Sequence, residues 1–178
     1  MPVNLNNLIM RNLIMILALA AFTKLQAQQA ATARTPSPAD TAWTSKVIKT
    51  NEEWKKILTP AQYRITREEG TESPYTKGNY SDNHEKGYYY CLSCKNPLFS
   101  SLKKFDSGTG WPSFWQPYST KSLTKSADNS LGMQRDAVSC QKCNAHLGHV
   151  FNDGPQPTGL RYCIDGLALL FVKGNPTR

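Results

Sequence analysis

Five cysteines fall in this 178-residue chain, and their spacing divides them. Cys91-Leu92-Ser93-Cys94 and Cys140-Gln141-Lys142-Cys143 are two Cys-x-x-Cys pairs, each presenting two sulfurs from one tight turn. Two such turns brought together make the tetrahedral S₄ set of a structural zinc site. The gap between the pairs exceeds that of an ordinary zinc ribbon, so a subdomain must lie between them. Two disulfides are the alternative use of four cysteines in an exported chain, although a bridge within Cys-x-x-Cys closes a very small loop. A closed four-sulfur site stabilises a fold and leaves no coordination position for chemistry.

Cys163 is the odd thiol, in Gly159-Leu160-Arg161-Tyr162-Cys163-Ile164-Asp165. Read as a strand, this stretch puts Arg161, Cys163 and Asp165 on one face and Leu160, Tyr162 and Ile164 on the other. A guanidinium beside a thiol favours the thiolate, the nucleophilic form, while Asp165 works against it. A lone cysteine is also simply a small buried hydrophobe. His146-Leu147-Gly148-His149 tilts the balance towards chemistry. Histidines three apart cannot share a face of a regular strand, but a bulge or turn at Gly148 would let both point the same way. A histidine pair near a thiolate can carry protons near neutral pH. Metal ligation by these histidines is disfavoured because four cysteines already complete a site. Gly108-Thr109-Gly110-Trp111-Pro112 sets an aromatic ring on a glycine loop, suited to a small apolar group such as a methyl. His84 sits in a polar stretch and reads as surface.

These residues need elements to hold them. Thr50-x-x-Glu53 is a capping box that predicts a short helix over 51–58. Thr59-Pro60-Ala61-Gln62 repeats the signal and predicts a second helix to about Glu69, stopped at Gly70. Trp54, Ile57, Leu58, Tyr63 and Ile65 are the expected apolar contacts, and residues 70–81 read as turns. Strands are expected at 87–92, 97–100, 137–140, 146–151 and 160–172, with residues 119–131 as a polar hairpin or loop. Trp115 is expected to plug the core. No repeat, dinucleotide fingerprint or phosphate loop is present.

The N-terminus is of a different kind. Arg11 precedes the apolar run Leu13–Phe22, and Leu25-Gln26-Ala27 offers a small-residue cleavage site. This is the pattern of a signal peptide over 1–27, with Met10 an alternative start, and it predicts export to the periplasm or beyond. The run is too short for a comfortable membrane span, which needs about 20 apolar residues; left uncleaved, it would tether the chain. Residues 28–45, rich in Gln, Ala, Thr, Ser and Pro, read as a flexible linker, and 46–178 as one folded domain. The net charge of +8 is spread without a run of like charges, the mark of a solvated basic surface and not of nucleic-acid binding.

Gly108-Thr109-Gly110-Trp111-Pro112-Ser113-Phe114, His146-Leu147-Gly148-His149-Val150-Phe151 and Arg161-Tyr162-Cys163-Ile164, with the two cysteine pairs, resemble the signatures of the B-type methionine-R-sulfoxide reductases. The resemblance covers residues 46–173. It implies a mainly β fold, with two antiparallel sheets forming a small open barrel, short N-terminal helices and a structural zinc held by Cys91, Cys94, Cys140 and Cys143. It implies an enzyme; the rival readings of the same residues are a non-enzymatic zinc-ribbon binding module and an exported domain crosslinked through Cys163. In the implied chemistry Cys163 attacks the sulfoxide sulfur, His146 and His149 position or protonate its oxygen, and Trp111 with Phe151 binds the substrate. Arg161 and Asp165 complete the catalytic set. The implied partners are oxidised proteins or peptides and a thioredoxin-like or other thiol reductant, and a monomer is the default. Two departures stand out. Many members carry a resolving cysteine where this chain has Thr109, so a one-cysteine enzyme reduced by an external thiol is expected. The family usually has Asn where this chain has Asp165; an ionised carboxylate cannot donate a hydrogen bond, and an elevated Cys163 thiol pKa is the expected consequence.

Overall fold

The computed structural model describes residues 45–129 and 135–176. The expected signal peptide, the linker up to residue 44 and residues 130–131 of the 119–131 stretch lie outside the described residues. Both capping boxes form. Thr50 Oγ1 accepts from the Glu53 amide and Glu53 Oε2 accepts from the Thr50 amide, at 3.3 and 2.7 Å, opening α1 (Asn51–Ile57). Thr59 and Gln62 do the same for α2 (Pro60–Glu68), with Pro60 in its first turn. The second helix stops one residue before the expected glycine, at Glu69, which takes the left-handed conformation. Trp54 and Leu58, four apart, set the buried stripe with Tyr63 and Ile65. Ile57 does not join them: it is 57 % exposed, because a seven-residue helix has room for only one buried stripe.

Among the described residues nine strands follow: β1 (Gly87–Cys91), β2 (Pro97–Ser100), β3 (Lys104–Phe105), β4 (Ser113–Phe114), β5 (Leu123–Asp128), β6 (Arg135–Cys140), β7 (His146–Phe151), β8 (Arg161–Ile164) and β9 (Leu169–Lys173). They make two antiparallel sheets that do not close on one another, a three-stranded one in the order β2-β1-β9 and a six-stranded one in the order β3-β4-β8-β7-β6-β5. The core between them is aromatic. Phe99 of β2 stacks on Phe114 of β4 with ring centres 4.2 Å apart, and Tyr89 of β1 meets Phe114 edge-on at 5.0 Å. Such pairs add to the gain from burial alone.

Three sequence expectations change here. The polar stretch 119–131 carries a full strand, β5, paired along its length with β6. The run 160–172 is two strands in different sheets, parted by a short 3₁₀ turn over Gly166–Ala168. Both halves are apolar, so periodicity alone cannot show the break. Trp115 is half-buried at the edge and not in the core, with the Lys103 ammonium 4.2 Å from its ring centre in a cation–π contact. Among the described residues no helix is long and apolar enough to cross a membrane.

Candidate active site and metal centre

The two Cys-x-x-Cys turns are built alike. Cys91 ends β1 and Cys140 ends β6; in each turn the amide four residues on, Lys95 or Asn144, donates to the first cysteine's carbonyl from a left-handed backbone. The four sulfurs lie within 4.8 Å of one another, with Cys91–Cys143 at 3.7 Å and Cys94–Cys140 at 3.6 Å, and no disulfide joins them. A tetrahedron of sulfurs about 2.3 Å from a central ion has edges of about 3.8 Å, so the cluster has the right size for zinc. Asn96 Nδ2 lies 3.5 Å from Cys140 Sγ, and Arg67 Nη2 lies 3.5 Å from Cys143 Sγ. Donors and a cation around the sulfurs suit ligand thiolates. The cluster ties one sheet to the other, β1 to β6, and Arg67 adds α2.

Cys163 sits apart from this cluster, in the middle of the six-stranded sheet. Its pairing partners are Ser113 on β4 and His149 on β7, and Arg161 pairs with Phe151. Directly opposed residues share a face, so Cys163, His149, Phe151 and Arg161 stand together. The bulge that the two histidines require is present. β6 and β7 slip register at Leu147, Gly148 takes φ +142°, and the His146 and His149 ring centres come within 5.4 Å. Gly148 also passes hard against the Cys163 carbonyl, where any Cβ would collide. Trp111, Thr71, Arg135, Gly148, His149, Phe151, Cys163 and Asp165 line one cavity of about 120 Å³. His146 does not line it; that ring opens on a neighbouring cleft shared with Asp128, Arg135 and His149.

The electrostatics of this cavity are those of a half-dry site. Burial pushes the Cys163 thiol up, and the Arg161 cation and the Thr109 hydroxyl, 4.0 Å away, pull it back. Thr109 is the end of a hydroxyl chain: Ser107 Oγ lies 2.8 Å from Thr109 Oγ1 and 2.7 Å from Ser113 Oγ. Arg161 is held in place by two bonds to Asp153, at 2.8 and 2.9 Å, with its guanidinium 4.4 Å over the Phe151 ring. His149 Nε2 donates to Asp128 Oδ2 at 2.8 Å, and Arg135 Nε donates to the same oxygen at 3.0 Å. That fixes the tautomer of a neutral His149 and leaves Nδ1 free to take a proton. Burial lowers both histidines, His146 to about 4, so both are neutral at pH 7. His146 Nε2 is buried with no hydrogen-bond partner among the described residues. His84 is exposed.

Asp165 is buried, and its Oδ1 accepts one hydrogen bond, from the Glu72 amide at 2.9 Å. Burial raises its carboxyl to about 7, helped by the nearby Glu72 carboxylate and opposed by Arg64. An unfolded aspartic acid titrates near about 3.9. Between those values the folded chain holds a proton that the unfolded chain has lost, so stability falls as pH rises from about 4 to 7 and stays low above. Asp165→Asn escapes that penalty. Urea unfolding is expected to show the variant gaining more on wild type at pH 8 than at pH 5, and Cys163 alkylation to show a lower thiol pKa; an equal stability difference at both pH values would contradict the buried-acid account.

Residues that sequence reasoning missed do much of the holding. Asp128 is the last residue of β5 and Arg135 the first of β6, and only the pairing of those strands reveals that they lie at His149. Glu72 and Asn79 lie in a turn-like stretch yet are buried.

Residues 58–173 match the SelR domain model. The chain is 53% identical over 126 residues to the peptide methionine sulfoxide reductase MsrB of Hahella chejuensis, covering 71% of this chain and 90% of that protein. It is 54% identical over 128 residues to the MsrB of Leptospira interrogans, covering 72% and 97%. The MsrB of Methanosarcina mazei is 50% identical over 133 residues, covering 75% and 94%. With a matching domain model over most of its length and relatives matched nearly end to end, the chain belongs to the SelR-domain family, the MsrB peptide methionine sulfoxide reductases.

Proposed function

We propose that Cys163 is the nucleophile and that the substrate is the R epimer of methionine sulfoxide in peptides and proteins. The observation that carries this is the cavity itself: the fifth thiol opens onto Trp111, Phe151 and a His149 whose proton-carrying nitrogens are assigned by Asp128. Trp111 and Phe151 offer apolar faces to the S-methyl group. His149 takes the Cys163 proton, and the thiolate attacks the sulfoxide sulfur. As the sulfur–oxygen bond breaks, the proton passes to the departing oxygen and a Cys163–sulfonium S–S bond is left; the hydroxide released then adds to the Cys163 sulfur, the S–S bond breaks, and methionine departs with that electron pair. The methionine sulfur gains two electrons and Cys163 loses two, ending as a sulfenic acid. His146 keeps His149 in a dry, neutral pair, and Arg161 supports the thiolate.

Regeneration needs two equivalents of an external thiol. The first forms a mixed disulfide with Cys163 and releases water; the second displaces Cys163 as a thiol and leaves as a disulfide. With Thr109 beside Cys163, and the other four cysteines gathered in the cluster, no further thiol in the chain can do this. The four clustered sulfurs hold a structural zinc ion. The signal-peptide pattern supports a location outside the cytoplasm and a role in repairing oxidised exported proteins.

The test is an epimer-resolved assay on a methionine sulfoxide peptide with dithiothreitol. Loss of the R epimer alone is expected. Without reductant, one methionine should form per chain, with one oxygen atom gained at Cys163 by mass. Consumption of both epimers, or an unmodified Cys163 after turnover, would refute the reading.

A further inference from the structure

Residues 70–80 form no regular element, yet their polar groups converge on the site. Glu72 is the centre of this strap and is only 4 % exposed. Its amide donates to Asp165 Oδ1 at 2.9 Å, and its carbonyl accepts from Trp111 Nε1 at 3.2 Å. Its carboxylate accepts from the Gly166 amide at 2.6 Å and the Leu167 amide at 3.1 Å. Asp165, at the start of that 3₁₀ turn, does not cap it; Glu72 supplies the cap from far along the chain. Asn79 completes the strap. It hydrogen-bonds the Glu72 carboxylate, donates to the Gly110 carbonyl at 2.8 Å, and presses its backbone on Gly166, where a Cβ would not fit.

We propose that Glu72 is a positioning residue for sulfoxide reduction, a single buried residue whose carbonyl holds the Trp111 ring and whose carboxylate holds the turn after the Cys163 strand, joining them into one rigid unit. The methyl-binding wall and the nucleophile sit on separate chain segments, β8 and the loop before β4, joined locally only by short strand pairing. Misplacement of reacting groups by about 1 Å costs on the order of 100-fold in rate. Glu72 contacts neither the sulfur nor the cavity; it acts through Trp111, Asp165 and Gly166. This inference rests on the reading that Trp111 and Cys163 face the same sulfoxide.

The first test needs no variant and no turnover. In the wild-type protein the Trp111 indole N–H and the Gly166 and Leu167 amides should exchange with solvent through one shared opening, with equal protection. An indole that exchanges freely while the two amides stay protected would overturn the clamp. The second test is Glu72→Gln, nearly isosteric but with a donor in place of one acceptor, in protein labelled with 5-fluorotryptophan. The Trp111 fluorine resonance should move while those of Trp54 and Trp115 stay, and kcat/KM for the R-sulfoxide peptide should fall by about tenfold or more, with KM raised. Wild-type kcat/KM with an unmoved Trp111 resonance would overturn it. A wild-type enzyme inactive on the R epimer would instead sink the proposed function, leaving the exchange result to be judged alone.

Discussion

Cys140→Ser is expected to lower the melting temperature by roughly 15 °C or more, an apparent loss of about 5 kcal/mol or greater. Cys140 is fully buried at the end of β6, and its sulfur lies 3.6 Å from Cys94 at the end of the other sheet's turn. Binding a structural zinc ion contributes about 10–16 kcal/mol in peptides that fold only with metal, while a whole domain is stable by about 5–15 kcal/mol. This domain has an aromatic core of its own, so part of the fold should survive. What goes is the fastening of β1 to β6, and with it the Arg67 bond from α2 to Cys143. Serine offers a hydroxyl in place of a thiolate and fills the space without binding the ion. Metal analysis and thermal unfolding, with and without chelator, measure the effect. The chelator should act harder as pH falls, because ligand thiols must be deprotonated to hold metal. A wild-type protein that melts at the same temperature with its metal stripped would show that packing alone holds the sheets together.

What could be read from sequence was local. The capping boxes at Thr50 and Thr59 are decided within four residues, and both helices begin where those residues put them. The bulge at Gly148 could be inferred because two histidines three apart demand one if they are to work together, and only glycine takes its backbone angle without strain. The cysteine pairs announced a shared site by spacing. What stayed hidden depends on partners far along the chain. The break between β8 and β9 is set by Asn79 packing on Gly166, and the burial of Glu72 is repaid by amides more than ninety residues later. A glutamate in a turn-like stretch carries no sign of that. Ile57 and Trp115 were misplaced for the converse reason: apolar residues suggest burial, but the number of inward positions is fixed by helix length and sheet edge.

Cys163→Ser should remove sulfoxide reduction almost wholly, by roughly 10³-fold or more, while leaving metal content and fold intact. The reason lies in the element and not in the shape. In the proposed mechanism the sulfur donates an electron pair to the sulfoxide sulfur and ends two electrons poorer as a sulfenic acid, a reversible state open to sulfur and not to a serine oxygen. Nor can another thiol take over, since Cys91, Cys94, Cys140 and Cys143 lie together in the cluster and none lines the Cys163 cavity. The wild-type thiol has its own signature. Burial raises its pKa and Arg161 only partly offsets this, so the free enzyme is mostly thiol at neutral pH. Alkylation of Cys163 by iodoacetamide should therefore keep accelerating as pH rises above 7, and in Arg161→Gln, which removes the cation and pushes the thiol higher still, it should be slower at a given pH and level off at higher pH. Residual activity close to wild type in Cys163→Ser would move the chemistry to another sulfur. A Cys163 alkylation rate already flat at pH 7 would mean that the thiolate is more strongly supported than burial among these neighbours allows.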